Sequence, residues 1–208
     1  MPQGSKRGRA EDEEDVDVIE LQTYLKKEES SLRTGAKAVL NKELIARIEA
    51  TKSLEERICE HASFAKALDA GDVKECRAEL TACFRVGVRL ESWLNTYTPP
   101  LSAGGNVGVS AEVQEGIYSN VHHLTQCCSD GLNRMLTFEK EHALMRTKCT
   151  DDAVWERYKG VLEDNQMHDL CKSIMSLRSD LLMIGNSICS NLTHLRTDIK
   201  EESVSTMY

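Results

Sequence analysis

The chain has 208 residues, a formal charge of −8, 29% charged residues and only 5% aromatic ones. That length is enough for a single domain with a sizeable core, and the composition suits long helices and argues against a β-sandwich. The acidic balance argues against nucleic acid or an anionic membrane as a main partner. No apolar run approaches the roughly 20 residues that span a bilayer. The N-terminus lacks the apolar core of a signal peptide, so a cytoplasmic or nuclear address is the expectation.

Residues 1–11 read as a tail, with Lys6, Arg7 and Arg9 set between glycines and a serine. The acidic run from Glu11 to Asp15 then suits a helix start, where the macrodipole is positive. A first helix is expected over about 12–50, because Val18, Leu21, Leu25, Leu32, Ala36, Val39, Leu44 and Ile48 recur at mostly three- and four-residue steps. Ser53 with Glu56 is a candidate capping box, which places a short turn near 51–52 and a second helix over about 53–97. Its stripe is Leu54, Ile58, His61, Ala65, Leu68, Cys76, Leu80, Cys83, Leu90, Leu94 and Tyr97, and a kink or break near Gly71 competes evenly with continuity.

The segment 98–109 interrupts this pattern. It contains Pro99, Pro100, Leu101, Ser102, Ala103, Gly104, Gly105, Asn106, Val107 and Gly108, in a chain with only three prolines. The paired prolines stop a preceding helix, and the glycines permit a sharp turn. Loops carry function more often than helices do, so this is the first candidate site. A third helix follows over about 110–147 on the stripe Val113, Ile117, Val121, Leu124, Cys128, Leu132, Met135 and Phe138. Asp151 or Asp152 is expected to cap a fourth helix over about 153–200. This last helix has the clearest periodicity, from Leu170, Ile174, Leu177, Leu181, Ile184 and Ile188 to Leu192, Leu195 and Ile199. Residues 201–208 form a polar tail ending in Thr206, Met207 and Tyr208.

The fold expected is all-α: an elongated up-down-up-down four-helix bundle. Apolar residues off the stripes, among them Trp93, Tyr118, Leu136, Trp155, Leu182 and Met183, leave surface for self-association. The eight cysteines lack Cys-x-x-Cys spacing and read as small buried hydrophobes in a reducing compartment. The neighbours His122 and His123 read as ordinary surface histidines, so no metal site and no cofactor is expected. The central glycines are followed by no Lys-Ser/Thr pair, which excludes a P-loop. No Glu-x-x-His pair repeats, which leaves a di-iron bundle unsupported. The chain reads as a binding or scaffold protein rather than an enzyme.

Three features combine into a resemblance. Trp93 and Leu94 precede Pro99, which leads into Gly104, Gly105, Asn106, Val107, Gly108, Val109 and then Gln114. The long final helix carries Tyr158, Leu162 and Glu163 and a regular stripe, and the tail ends in Met207 and Tyr208. Together these resemble the 11S proteasome activator (REG) family, most clearly over residues 89–118 and 158–208. Gly105 stands where the family's loop has its first asparagine, and Val107 stands where it has phenylalanine. The lysine- and glutamate-rich insert some relatives carry between their first two helices is absent.

The resemblance implies a homo-heptameric ring that caps the α-subunit ring of the 20S proteasome without ATP. It also implies that tails ending in Thr206, Met207 and Tyr208 dock between α subunits, and that the 98–109 loops hold the gate open. A generic helical adaptor or scaffold is the alternative reading.

Overall fold

The computed structural model describes the backbone of residues 11–97 and 111–195, and the side chains of 20–96 and 113–191. Among the described residues every regular element is helical: α1 (Glu11–Ala38), a π-helical turn (Val39–Glu43), α2 (Leu44–Glu60), α3 (Phe64–Asp69), α4 (Asp72–Tyr97), α5 (Ala111–Lys148) and α6 (Asp152–Leu195). The longest, α6, has 44 residues and extends about 66 Å at ~1.5 Å per residue. The fold is all-α, as the periodicity implied. The expected loop 98–109 and tail 201–208 lie outside the described residues.

The first connection is not where the capping signature put it. The helix passes straight through residues 51–53. Thr51 is fully buried, and its hydroxyl donates to the carbonyls of Arg47 (2.8 Å) and Ile48 (3.0 Å), so it is satisfied within the helix. Ser53 caps nothing; its hydroxyl accepts from Arg57 Nη1 at 2.8 Å. Leu44, Thr51, Leu54 and Ile58 stay on one buried face, and that continuous burial overrides the local signature.

The chain turns ten residues later in two steps. His61 is extended (φ −68°, ψ 128°), and Ser63 caps α3 by accepting from the backbone N–H of Lys66 at 3.5 Å. This break shifts the helical phase. Phe64 and Ala67 are buried, whereas Leu68, expected on the core stripe, is 54% exposed. Gly71 then adopts φ +84°, a conformation that costs a side-chain-bearing residue about 1 kcal/mol or more, and α4 starts at Asp72. The second expected helix, 53–97, is therefore the end of α2, a one-and-a-half-turn α3, and α4.

Asp72 holds this corner together. It is buried and accepts from Arg57 Nε (3.0 Å) and lies 2.7 Å from His61 Nε2, while Arg57 Nη2 also reaches Glu75 at 2.6 Å. The His61 ring, helped by Arg57, holds the Asp72 carboxyl below the usual carboxylate range against the opposing effect of burial.

α4, α5 and α6 pack along their stripes. Leu170, Ile174, Leu177, Leu181, Ile184 and Ile188 are each at most 2% exposed and meet Leu54, Ile58, Leu80, Leu90 and Leu124. The α4–α5 seam is close enough to require Gly87. A Cβ there would lie 2.4 Å from Thr125 Cγ2. Asp151, one of the two expected caps, closes the α5–α6 turn by accepting from the N–H groups of Ala153 (2.8 Å) and Val154 (3.1 Å). Trp93 and Trp155, expected off the core, are buried at 7% and 5% exposure. Leu136, Leu182 and Met183 are exposed as expected, and so are Leu21 and Leu25, which were expected on the core stripe.

Candidate functional site

Two helix ends flank the glycine-rich segment, and the packing that holds them fixes where it emerges. Near the end of α4, Glu91 Oε1 accepts from Thr125 Oγ1 (2.7 Å) and lies 3.0 Å from His122 Nδ1, both in the fourth turn of α5. Trp93 and Leu94 on α4 and Ile117 on α5 are buried in the same core. Tyr97 and Ala111 are therefore neighbouring ends of an antiparallel pair. α6 runs antiparallel to α5 and finishes at that same end. Asn120 Nδ2 donates to Ser187 Oγ at 3.4 Å, and Ile188 is buried one residue further on. Leu195 closes α6 about two turns beyond.

The bundle thus brings the two anchors of Pro99, Pro100, Leu101, Ser102, Ala103, Gly104, Gly105, Asn106, Val107 and Gly108 to the end from which the chain continues toward Thr206, Met207 and Tyr208. Those residues themselves lie outside the described ones. An ion pair between Arg89 and Glu43 (Nη1 to Oε1, 2.7 Å) braces this end against the π-helical turn.

At the opposite end, a cavity of about 520 Å³ lies between α3, α4, α5 and α6. Phe64 and Phe138 meet edge-to-face inside it with ring centroids 4.9 Å apart, and Arg77, Glu139, Lys159 and Glu163 form its rim. No described group in it has the geometry of a nucleophile with its base.

The cysteines divide. Cys76, Cys83 and Cys128 are buried, and burial pushes the thiols of Cys76 and Cys128 up to about 12 and that of Cys83 higher still, which keeps them inert. Cys59 and Cys189 are exposed, which the reading of all eight as buried hydrophobes did not foresee. Nor did it foresee that His123 and Cys127 on α5 meet Asp180 on α6. The candidate donor atoms of these three lie within 4.8 Å of one another. The i, i+4 spacing of His123 and Cys127 was visible in the sequence; the carboxylate, from another helix, was not.

Comparison with known proteins fits this architecture. No curated protein matches the chain. Among solved structures, the chain is similar to the crystal structure of the 11S subunit of the Plasmodium falciparum proteasome, PA28. The TM-score is 0.68 at 10% identity, over 94% of this chain and 98% of that one, a likeness of fold. Residues 66–204, from α3 through the glycine-rich segment and α6 into the tail, match the family described as "Proteasome activator PA28, C-terminal". On that match, which covers well over half of its length, the chain belongs to the PA28 proteasome activator family.

Proposed function

We propose that the protein is an ATP-independent, non-catalytic activator of the 20S proteasome that works as a homo-heptameric ring. The carrying observation is that α4 and α6 finish at one end of the bundle, next to the start of α5. The 98–109 loop and the Thr206–Tyr208 tail can then meet one proteasome surface together. The tail docks between α subunits, and the loop presses on the gate. Each tail binds weakly alone, and a rigid ring carrying one per subunit supplies avidity. A loop anchored on two packed helices stabilises an open gate by favouring that conformation, with no chemistry needed.

Gly105 offers no side-chain hydrogen bond, so Asn106 and the loop backbone carry the gate contact. Ring formation is supported by exposed apolar side chains on several helices, among them Leu21, Leu25, Phe84, Val88, Leu182 and Met183. Lateral contacts of unlike faces close into a ring when the rotation between copies closes.

The test is addition of the protein to latent 20S proteasome with a short fluorogenic peptide, alongside native mass spectrometry. Stimulated hydrolysis by a heptamer is expected, and a monomer or dimer without stimulation sinks the reading in favour of an adaptor. Deleting Thr206, Met207 and Tyr208 is expected to abolish binding with the ring intact. Gly105→Tyr or Asn106→Tyr is expected to leave ring and binding in place and largely remove stimulation. Full stimulation by both loop variants means the loop does not control the gate.

A further inference from the structure

The seam between α5 and α6 holds a group of side chains that the proposed function does not use. His123 and Cys127 stand one turn apart on α5, with Cys127 Sγ 3.6 Å from both ring nitrogens of His123. Asp180 faces them from α6, with Oδ2 3.4 Å from His123 Nδ1. Asp180 is the anomaly. It is 7% exposed, and its Oδ2 is fully buried and has no hydrogen-bond partner of acceptable geometry. A buried carboxylate whose only close neighbours are the His123 ring nitrogen and the Cys127 thiol, neither in good hydrogen-bond geometry, is costly to keep, and a coordinated cation is one remedy.

We propose that His123, Cys127 and Asp180 bind a single zinc-class divalent metal ion that clips α5 to α6. The spacing fits. Metal–nitrogen and metal–oxygen bonds of ~2.1 Å and a metal–sulfur bond of ~2.3 Å at tetrahedral angles place N and O about 3.4 Å apart, and N and S about 3.6 Å apart. The observed separations from Nδ1 are 3.4 Å to Oδ2 and 3.6 Å to Sγ. One nitrogen, one thiolate and one carboxylate make a borderline-soft donor set, which favours zinc over calcium, magnesium or manganese with their preference for all-oxygen sites.

The His123 side chain is 57% exposed, so the ion has an entry path and water completes the tetrahedron. On binding, the Cys127 thiol releases its proton to solvent and its sulfur donates an electron pair to the metal. His123 binds as the neutral ring through Nδ1, and nothing is oxidised or reduced. Burial, with Asp180 and Asp130 beside it, raises the Cys127 thiol, and Arg134 only partly opposes this; the metal's own charge reverses that balance.

The experiment uses the full chain, stripped with chelator and titrated with Co(II) as a spectroscopic probe and then with Zn(II). It is independent of any proteasome assay, so it can succeed or fail whatever becomes of the activator reading. One Co(II) per chain is expected, with a thiolate-to-cobalt charge-transfer band that Zn(II) abolishes. Cys127→Ser is expected to remove the band, while Cys59→Ser and Cys189→Ser keep it. Asp180→Asn is near-isosteric and removes a buried charge, so circular dichroism should show it folded, and its Zn(II) affinity should fall at least about tenfold. Absence of the band in the wild-type chain, its persistence in Cys127→Ser, or wild-type affinity in Asp180→Asn each overturns the proposal.

Discussion

A close approach between α4 and α5 offers a sharp test of how the two helices are held. A Cβ added at Gly87 lies 2.4 Å from Thr125 Cγ2, well under the 3.0 Å that real Cβ contacts observe. Thr125 cannot rotate freely to make room. It is 6% exposed, and its hydroxyl is engaged with Glu91 Oε1 at 2.7 Å and the His122 carbonyl at 2.8 Å. Rotation about χ1 forfeits a hydrogen bond to a charged acceptor, about 1.5–3 kcal/mol. Moving the helices apart instead loosens Leu90, Val121 and Leu124, an overpacking cost of about 1–3 kcal/mol. Against either stands a gain of about 1 kcal/mol from replacing a helical glycine with alanine. The cheaper route sets the cost, so Gly87→Ala should lower stability by about 1 kcal/mol in urea denaturation. Gly160→Ala, with nothing within 4 Å of its Cβ, should raise it by up to ~1 kcal/mol. Adding Thr125→Ser to Gly87→Ala removes the clashing methyl, keeps the hydroxyl, and should restore most of the loss. A Gly87→Ala chain as stable as wild type, or a double variant with no recovery, refutes the account of the seam.

Three further outcomes are expected. Gly71→Ala should cost about 1–2 kcal/mol, since a Cβ meets open space there and the penalty is that of φ +84° alone; thermal or urea melting reads it. Asp72 has a lowered carboxyl pKa in the fold, so its stabilisation is present above the unfolded value of about 3.9 and is lost as pH falls through the lower folded value. Asp72→Asn should cost about 2 kcal/mol at neutral pH, and the gap to wild type should narrow on acidification below about pH 4; a gap that stays constant in urea titrations across that range contradicts the linkage. Asp151→Ala removes the cap of α6 and should cost about 1 kcal/mol by the same measurement.

What was legible in the sequence follows from which interactions are local. The α5 and α6 stripes could be read because one helical face stays buried without interruption, from Ile117 to Met135 and from Leu170 to Ile188. The first turn was misplaced because Ser53 and Glu56 match a local signature, while Thr51 is buried by packing that no local window contains. The true cap, Ser63, is followed three residues on by Lys66 rather than by Glu or Gln, so it lacks the reciprocal half of a capping box. Trp155 was read as lying off the core stripes because its partners come from across the turn. Its ring lies 5.0 Å from that of His142 and 5.6 Å from the Arg146 guanidinium. The His123, Cys127 and Asp180 group was half visible for the same reason, two members sharing a helix and the third arriving through the fold.

The exposed stretch of α1 over residues 20–28 bears on assembly. Leu21 and Leu25 were read as core because they continue the three- and four-residue steps that lead to Ala36 and Val39. Ala36 and Val39 are buried; Leu21 and Leu25 are 56% and 55% exposed, and residues 20–28 are exposed throughout. An apolar stripe in phase with a buried one, continuing past the point where the chain's own helices cover it, marks a face that a single copy does not fill. Tyr24 lies beside the two leucines at 59% exposure and widens the same patch. Scattered apolar residues need no explanation, but a stripe that keeps helical register does. In the proposed ring, a neighbouring copy laid alongside α1 would supply the missing cover, and the periodicity that misjudged the core of one chain is consistent with such lateral contacts.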